Sequence, residues 1–159
     1  MQKTNAIRII EQAKLTYSVQ TYPHGKEAVD GKTVASLLGQ NEHQVFKTLV
    51  TIANTKEYLV FVIPVCSELD KKQAAKVAQV KSIDMIPVKD LLKVTGYVRG
   101  GCSFIGMRKT YRTFIDEQCL HFDTIMFSAG KIGMQLSMAI NDIQQLMPIT
   151  IASISTCNS

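Results

Sequence analysis

The segment richest in potential chemistry is Gly100-Gly101-Cys102-Ser103-Phe104-Ile105-Gly106, which places three glycines and a serine in one loop. Glycines let a backbone approach a ligand closely and turn N–H groups toward a carbonyl or phosphate oxygen, so such a loop can act as an oxyanion or phosphate nest. It fits neither the Walker A pattern nor G-x-G-x-x-G, and the usual nucleotide-binding chemistries are not indicated. A tight glycine turn with no ligand would give the same pattern. Cys102 and Ser103 carry potential nucleophiles, but activation needs a base in hydrogen-bond reach, and nothing in the sequence brings His24, His43 or His121 to them. Cys102 therefore reads as an unreactive thiol and Ser103 as a hydroxyl that binds rather than attacks.

Lys47 stands between Phe46 and Thr48 in an otherwise apolar run, where it can hold an anionic oxygen or face solvent from a strand. Arg99, Arg108, Lys109, Arg112 and Lys131 bracket the glycine loop and the turn Gly130-Lys131-Ile132-Gly133. They suggest a phosphate-facing rim, though scattered solubilising charges would look alike. The net charge of +5 and pI near 9.0 suit a polyanionic partner without demanding one. Cysteines 66, 102, 119 and 157 contain no C-x-x-C, and the three histidines form no metal-spaced pair. No metal or other cofactor is expected; a metal site would need convergence in the tertiary structure.

The elements that must position these residues follow from periodicity and from turn chemistry. Ala6, Ile9, Ile10 and Ala13 predict a first helix within residues 5–14, and Tyr17 to Thr21 alternates as a half-buried strand. After a loop to Gly31, a helix over 32–38 should bury Val34, Leu37 and Leu38 and stop at Gly39. Asn41 and Gln44 have the spacing of a capping box that opens one turn. Phe46–Ile52 and Tyr58–Val65 predict a central hairpin across a polar turn. Leu69, Asp70 and Gln73 supply a staple, an N-cap and its N3 partner for a helix over 71–78. A strand over 83–86, a helix over 87–94 stopped by Gly96, strands over 112–115, 124–128 and 135–138, a helix over 139–147 and a last strand over 149–154 complete the pattern. The last three residues, from Cys157, should be frayed.

A chain of 159 residues with 46% hydrophobic and 19% charged content predicts one packed domain over residues 1–159. The amphipathic N-terminus lacks the pattern of a signal peptide, and the longest apolar run falls far short of the ~20 residues that cross a bilayer, so a cytoplasmic protein with no membrane partner is expected. Several neighbouring strands are joined by turns too short for a parallel crossover. The fold class is therefore α/β with a mixed, largely antiparallel sheet flanked by helices.

Taken together, Thr21-Tyr22-Pro23-His24, Val45-Phe46-Lys47-Thr48-Leu49, Leu69-Asp70-Lys71-Lys72, Thr95 through Gly106, and Ser128 through Gly133 resemble, in order and spacing, the YbaK family of aminoacyl-tRNA editing domains. That family includes the proline-tRNA-synthetase insertion domain. The resemblance implies a curved mixed sheet with a pocket between Lys47 and the glycine loop, and the removal of a wrongly attached amino acid from tRNA. On this likeness the substrate is cysteinyl-tRNA, on proline or cysteine tRNA, with prolyl- or cysteinyl-tRNA synthetase as a candidate partner. The implied catalytic residues are Lys47, engaging the terminal adenosine or ester, and Gly101, whose loop amides face the aminoacyl carbonyl. Tyr22, Thr48, Gly100, Ser103, Phe104 and Gln135 would bind substrate, and Arg99, Arg108, Lys109 and Lys131 the tRNA. No cofactor is implied, and no protein nucleophile either, because the substrate's own thiol attacks its carbonyl. Deacylation of another small amino acid such as alanine, or tRNA binding without catalysis, are the alternatives. Two positions depart from the family pattern. Phe104 stands where the family has proline, suggesting a freer loop and a bulky side chain toward the pocket. Gln135 stands where the family has an acid, and it can hydrogen-bond but not pair as an anion.

Overall fold

The computed structural model describes residues 3–157. Helix α1 (Asn5–Gln12) starts where Thr4 Oγ1 accepts the Ile7 N–H at 3.2 Å, satisfying one orphan donor of the first turn. It buries Ala6, Ile7 and Ile10, in place of the expected face with Ile9 and Ala13. Residues 6, 7 and 10 form a helical face equally well, and Ala13 lies at the helix end, beyond the last buried turn. Strand β1 (Ser18–Thr21) follows, then α2 (Gly31–Leu37), which Asp30 caps by accepting the Thr33 N–H at 2.9 Å. Helix α2 buries Val34 and Ala35 and leaves Leu37 52% exposed, so its inner face is rotated from the expected one. Gly39 stops it at φ +63° as the sequence predicts.

The turn at Asn41 forms, with the Gln44 N–H donating to the Asn41 carbonyl at 2.9 Å. Its capping box does not close, because Gln44 Nε2 donates instead to the Thr124 carbonyl at 2.8 Å. A distant acceptor has replaced the local one. Beyond it lie β2 (Phe46–Ala53), β3 (Tyr58–Pro64), β4 (Ser67–Leu69), α3 (Lys71–Ala78), β5 (Ile83–Met85) and α4 (Val88–Thr95). Helix α3 has the predicted bounds, with Asp70 Oδ1 accepting the Gln73 N–H at 3.0 Å. Then come β6 (Arg112–Asp116), a 3-10 turn (Glu117–His121), β7 (Thr124–Lys131), β8 (Met134–Ala139), α5 (Ile140–Leu146), β9 (Thr150–Ala152) and β10 (Ser155–Cys157).

The strands pair as five (β5-β2-β3-β6-β9), three (β1-β8-β7) and two (β10-β4). Strand β2 is antiparallel to β3 and β5, whereas β6 is parallel to β3 and β9, which is the mixed, largely antiparallel arrangement expected. A parallel bridge from Val45 to Met126 joins the first two groups. The expected last strand is shorter, at Thr150–Ala152, and a further strand that the sequence did not predict, at Ser155–Cys157, pairs with Ser67–Leu69, so the chain is not frayed at Cys157, while Asn158 and Ser159 lie outside the described residues. Buried Asp116 fixes the crossing by accepting the Ile154 N–H at 3.0 Å.

The register places Val60, Val62 and Ile115 on one face of the five-stranded group, against Phe127, Leu136, Met138 and helix α1. The other face sets Leu59, Phe61, Ile63 and Phe114 against Ala74, Ala75 and Ala78 of α3. Phe61 stacks on Phe114 at 5.0 Å between ring centroids. Burial of each such large apolar side chain contributes about 1.5–3 kcal/mol, which makes the β2–β3 hairpin a rigid platform for Lys47.

Candidate active site

Strand β5 pairs with β2 only at Thr51, Ile52 and Ala53, and the Ile86 N–H reaches the Val50 carbonyl at 3.2 Å. Beyond the bridge of Val45 to Met126, the Lys47–Leu49 stretch of β2 therefore has β3 on one side and, among the described residues, no paired strand on the other. Bonds from the Val65 N–H to the Val45 carbonyl and from the Ala53 N–H to the Glu57 carbonyl, both 2.8 Å, show that odd-numbered residues turn their backbone groups toward β3. By alternation, the peptide groups of Thr48 face the open edge. A cavity of about 570 Å³ lies along this stretch, a size suited to a small ligand.

Of the residues singled out in the sequence, Tyr22, Lys47, Thr48, Arg99, Gly100 and Gln135 line this cavity together. Lys47 is half-buried, and its side chain has no hydrogen bond or ion pair among the described residues. The Thr48 hydroxyl is shielded from solvent and also has no partner. Such an atom stands ready for a ligand, since an unsatisfied buried hydroxyl is costly.

The remaining residues are placed elsewhere, each for a physical reason. Gly101 is buried, and its N–H donates to the Val98 carbonyl at 3.0 Å, closing a turn with Gly100 at φ +83°. That amide is committed and is not an oxyanion donor in this geometry. The two glycines serve close approach instead: a Cβ at Gly101 would come within 2.9 Å of the Ile132 nitrogen, and one at Gly100 within 2.5 Å of Ala28 Cβ. Ser103 is fully buried and accepts the Ile105 N–H at 3.2 Å. Phe104 does not face the cavity; it is 2% exposed and lies 4.6 Å from Phe127 between ring centroids, as part of the core. Arg108 lies alongside Gly96, and Lys109 borders a second cavity of about 190 Å³. Lys131 is exposed at the end of β7, outside the cavity lining. Arg112 is taken up by Glu57, with two bonds of 2.9 Å, and does not belong to a phosphate rim.

Gln135 is 2% exposed and forms a reciprocal pair with Gln40: each carboxamide donates one N–H to the other's oxygen, at 2.8 and 2.9 Å. One N–H of Gln135 remains for a ligand. Cys102 lines the cavity as a neutral thiol, its pKa pushed up to about 11 mainly by burial, which supports its reading as non-nucleophilic.

Sequence reasoning missed Asp30, the sole acidic side chain among the described residues of the lining, and Lys32 beside it. Hydrogen bonds from the backbone and side chain of Thr33 hold the Asp30 carboxyl below its usual pKa, so it is ionised at neutral pH. Its N-cap spacing to Thr33 was visible in the sequence; its place in the cavity wall was not. The wall thus combines Lys32, Lys47 and Arg99 with one carboxylate. That combination suits a ligand carrying phosphates at one end and a cationic group at the other.

Residues 26–146 match the family described as the aminoacyl-tRNA editing domain. The chain belongs to this family. It is 41% identical over 155 residues, 98% of its own length and 94% of the relative's, to a protein of Enterococcus faecalis provisionally named the Cys-tRNA(Pro)/Cys-tRNA(Cys) deacylase EbsC. The crystal structure of a hypothetical protein, APE2540, superposes with a TM-score of 0.86 at 18% identity, covering 96% of this chain and all 100% of that one. A crystal structure provisionally described as a trans-editing enzyme for prolyl-tRNA synthetase gives 0.81 at 16% identity, covering 95% and 92%. At these identities the structural likenesses establish the shared editing-domain fold. Among the described residues, no helix is long and apolar enough to cross a membrane.

Proposed function

We propose that the protein is a one-domain, cytoplasmic trans-editing deacylase that removes cysteine from mischarged tRNA. The observation that carries this reading is the cavity along the open edge of β2, where Lys47 and the unpartnered Thr48 hydroxyl stand together. Family membership and the name of the 41% identical relative point to the same reaction class.

Cys102 is neutral, and no histidine among the described residues lines the cavity, so catalysis by a protein nucleophile has no support. Substrate-assisted cleavage fits better. The substrate's thiolate sulfur attacks its own ester carbonyl, the bond from that carbonyl to the ribose oxygen breaks, and the oxygen takes up a proton. Free tRNA and a cyclic thioester result. In this reading Lys47 stabilises the developing negative charge, Thr48 positions the carbonyl or thiol, and the fixed geometry supplies most of the remaining acceleration. Asp30, rather than residue 135, pairs with the substrate ammonium. Arg99 and Lys32 meet the terminal phosphates, with prolyl- or cysteinyl-tRNA synthetase a candidate partner in delivery. Gly101 acts by holding the glycine loop against Lys131-Ile132.

The test is loss of the aminoacyl group from cysteinyl- and alanyl-tRNA(Pro) and from correctly charged prolyl-tRNA(Pro), using wild type, Lys47→Ala and Asp30→Asn. Asparagine caps a helix as well as aspartate does, so the second change removes charge without unwinding α2. Selective loss of cysteine, about 100-fold slower with Lys47→Ala and with KM raised by Asp30→Asn, is expected. Faster loss of alanine than cysteine would reassign the substrate. No acceleration on any charged tRNA would make this a tRNA-binding protein on an editing fold.

A further inference from the structure

Two turns meet where β2 begins and β3 ends. The turn leading into β2 carries Glu42 and His43, and the residue two positions after β3 is Cys66. Strand register draws them together, because the Val65 N–H bonds the Val45 carbonyl at 2.8 Å and both valines line the cavity. Cys66 Sγ lies 3.3 Å from His43 Nδ1. A carboxylate oxygen of Glu42 completes a set of three ligand atoms that all lie within 4.8 Å of one another.

We propose that Glu42, His43 and Cys66 bind one zinc-class divalent ion, with water in the fourth position. Sulfur, imidazole nitrogen and carboxylate oxygen are the donors that Zn²⁺ takes, and the single thiolate disfavours the hard, all-oxygen ions Ca²⁺ and Mg²⁺. Tetrahedral coordination with Zn–S about 2.3 Å and Zn–N about 2.0–2.1 Å puts sulfur and nitrogen about 3.5 Å apart. The observed 3.3 Å is near that edge already, and the Glu42 oxygen, within 4.8 Å of both atoms, has at most about 1.5 Å to close. His43 coordinates through Nδ1, leaving its Nε2–H outward. One thiolate and one carboxylate balance the charge of the ion. His43 is exposed while Glu42 and Cys66 are half-buried, which opens a path for the ion and leaves room for the fourth ligand. The ligands are divided between two strand ends, so no sequence motif announces them. Once bound, the ion ties the start of β2 to the end of β3 and stabilises the folded chain by mass action.

The full chain, freed of metal by chelator, is titrated with Co²⁺ and then Zn²⁺ under reducing conditions. The expected result is one Co²⁺ per chain with a sulfur-to-cobalt charge-transfer band and the strong visible bands of tetrahedral cobalt. Zn²⁺ should bleach both and raise Tm. Cys66→Ser should abolish the charge-transfer band, and His43→Ala should weaken binding at least about 10–100-fold. Far-UV circular dichroism of each metal-free variant checks that the fold is retained, and Glu42→Gln gives a third reading should one variant not fold. A cobalt spectrum unchanged from the aqueous ion, or a charge-transfer band that survives Cys66→Ser, would overturn the proposal.

Discussion

Replacing Thr48 with valine should raise the stability of the protein while lowering its activity. The Thr48 hydroxyl is shielded and unpartnered, so the folded protein bears the cost of desolvating it. That cost is about 1–3 kcal/mol for a buried polar group left unsatisfied, and the lower end applies because Thr48 as a residue is only half-buried. Valine has nearly the same shape, and it favours a strand at least as well. We expect a gain of about 1 kcal/mol, which for a chain of this size moves Tm by roughly 2–4 °C. If the hydroxyl bonds the substrate, its loss should reduce kcat/KM by about 2- to 10-fold, since a net hydrogen bond to an uncharged group contributes roughly 0.5–1.5 kcal/mol. Thermal melts of the free protein and single-turnover deacylation of cysteinyl-tRNA measure the two effects. A lower Tm would show that the hydroxyl has a partner within the protein. A higher Tm with unchanged kcat/KM would show that the hydroxyl is unsatisfied but takes no part in the site.

Phe104→Ala should cost about 3–5 kcal/mol in denaturant unfolding, because the ring is buried against Phe127 rather than directed at substrate; a stable variant with altered amino-acid selectivity would return Phe104 to the pocket. Cys102 should resist alkylation: with its pKa raised from 9.0 to about 11, its thiolate fraction near pH 8 is about a hundredfold below that of an unperturbed thiol, and reactivity should climb only as the pH approaches 11. Peptide mapping after iodoacetamide treatment across pH reads this directly, and fast labelling of Cys102 at pH 8 would revive it as a nucleophile.

Much of the fold could be read from the chain because local interactions decide it. Asp70 and Gln73 bound α3 through a bond that spans three residues, Gly39 and Gly96 stop their helices through their own left-handed φ, and the β2–β3 hairpin follows from alternation across one polar turn. Lys47 could be singled out for the same reason, since it sits on that hairpin, whereas Thr48 was marked only by the family resemblance. Helix faces were less legible: in α1 and α2 the neighbours that cover a helix, not its own spacing, select which residues are buried.

The remaining assignments depend on groups far apart in sequence. Gln44 leaves its capping box for Thr124, Arg112 is claimed by Glu57, Gln135 by Gln40, and Phe104 by Phe127. In each case a side chain with several feasible partners takes the one that the tertiary fold brings closest. Asp30 enters the cavity wall, and Cys66 meets His43, by the same rule. The sequence by itself determined where backbone elements begin and end and which residues could do chemistry, because those properties are set within a few residues. Only the tertiary structure decided which of those residues share a cavity, because that depends on how strands separated by tens of residues come into register.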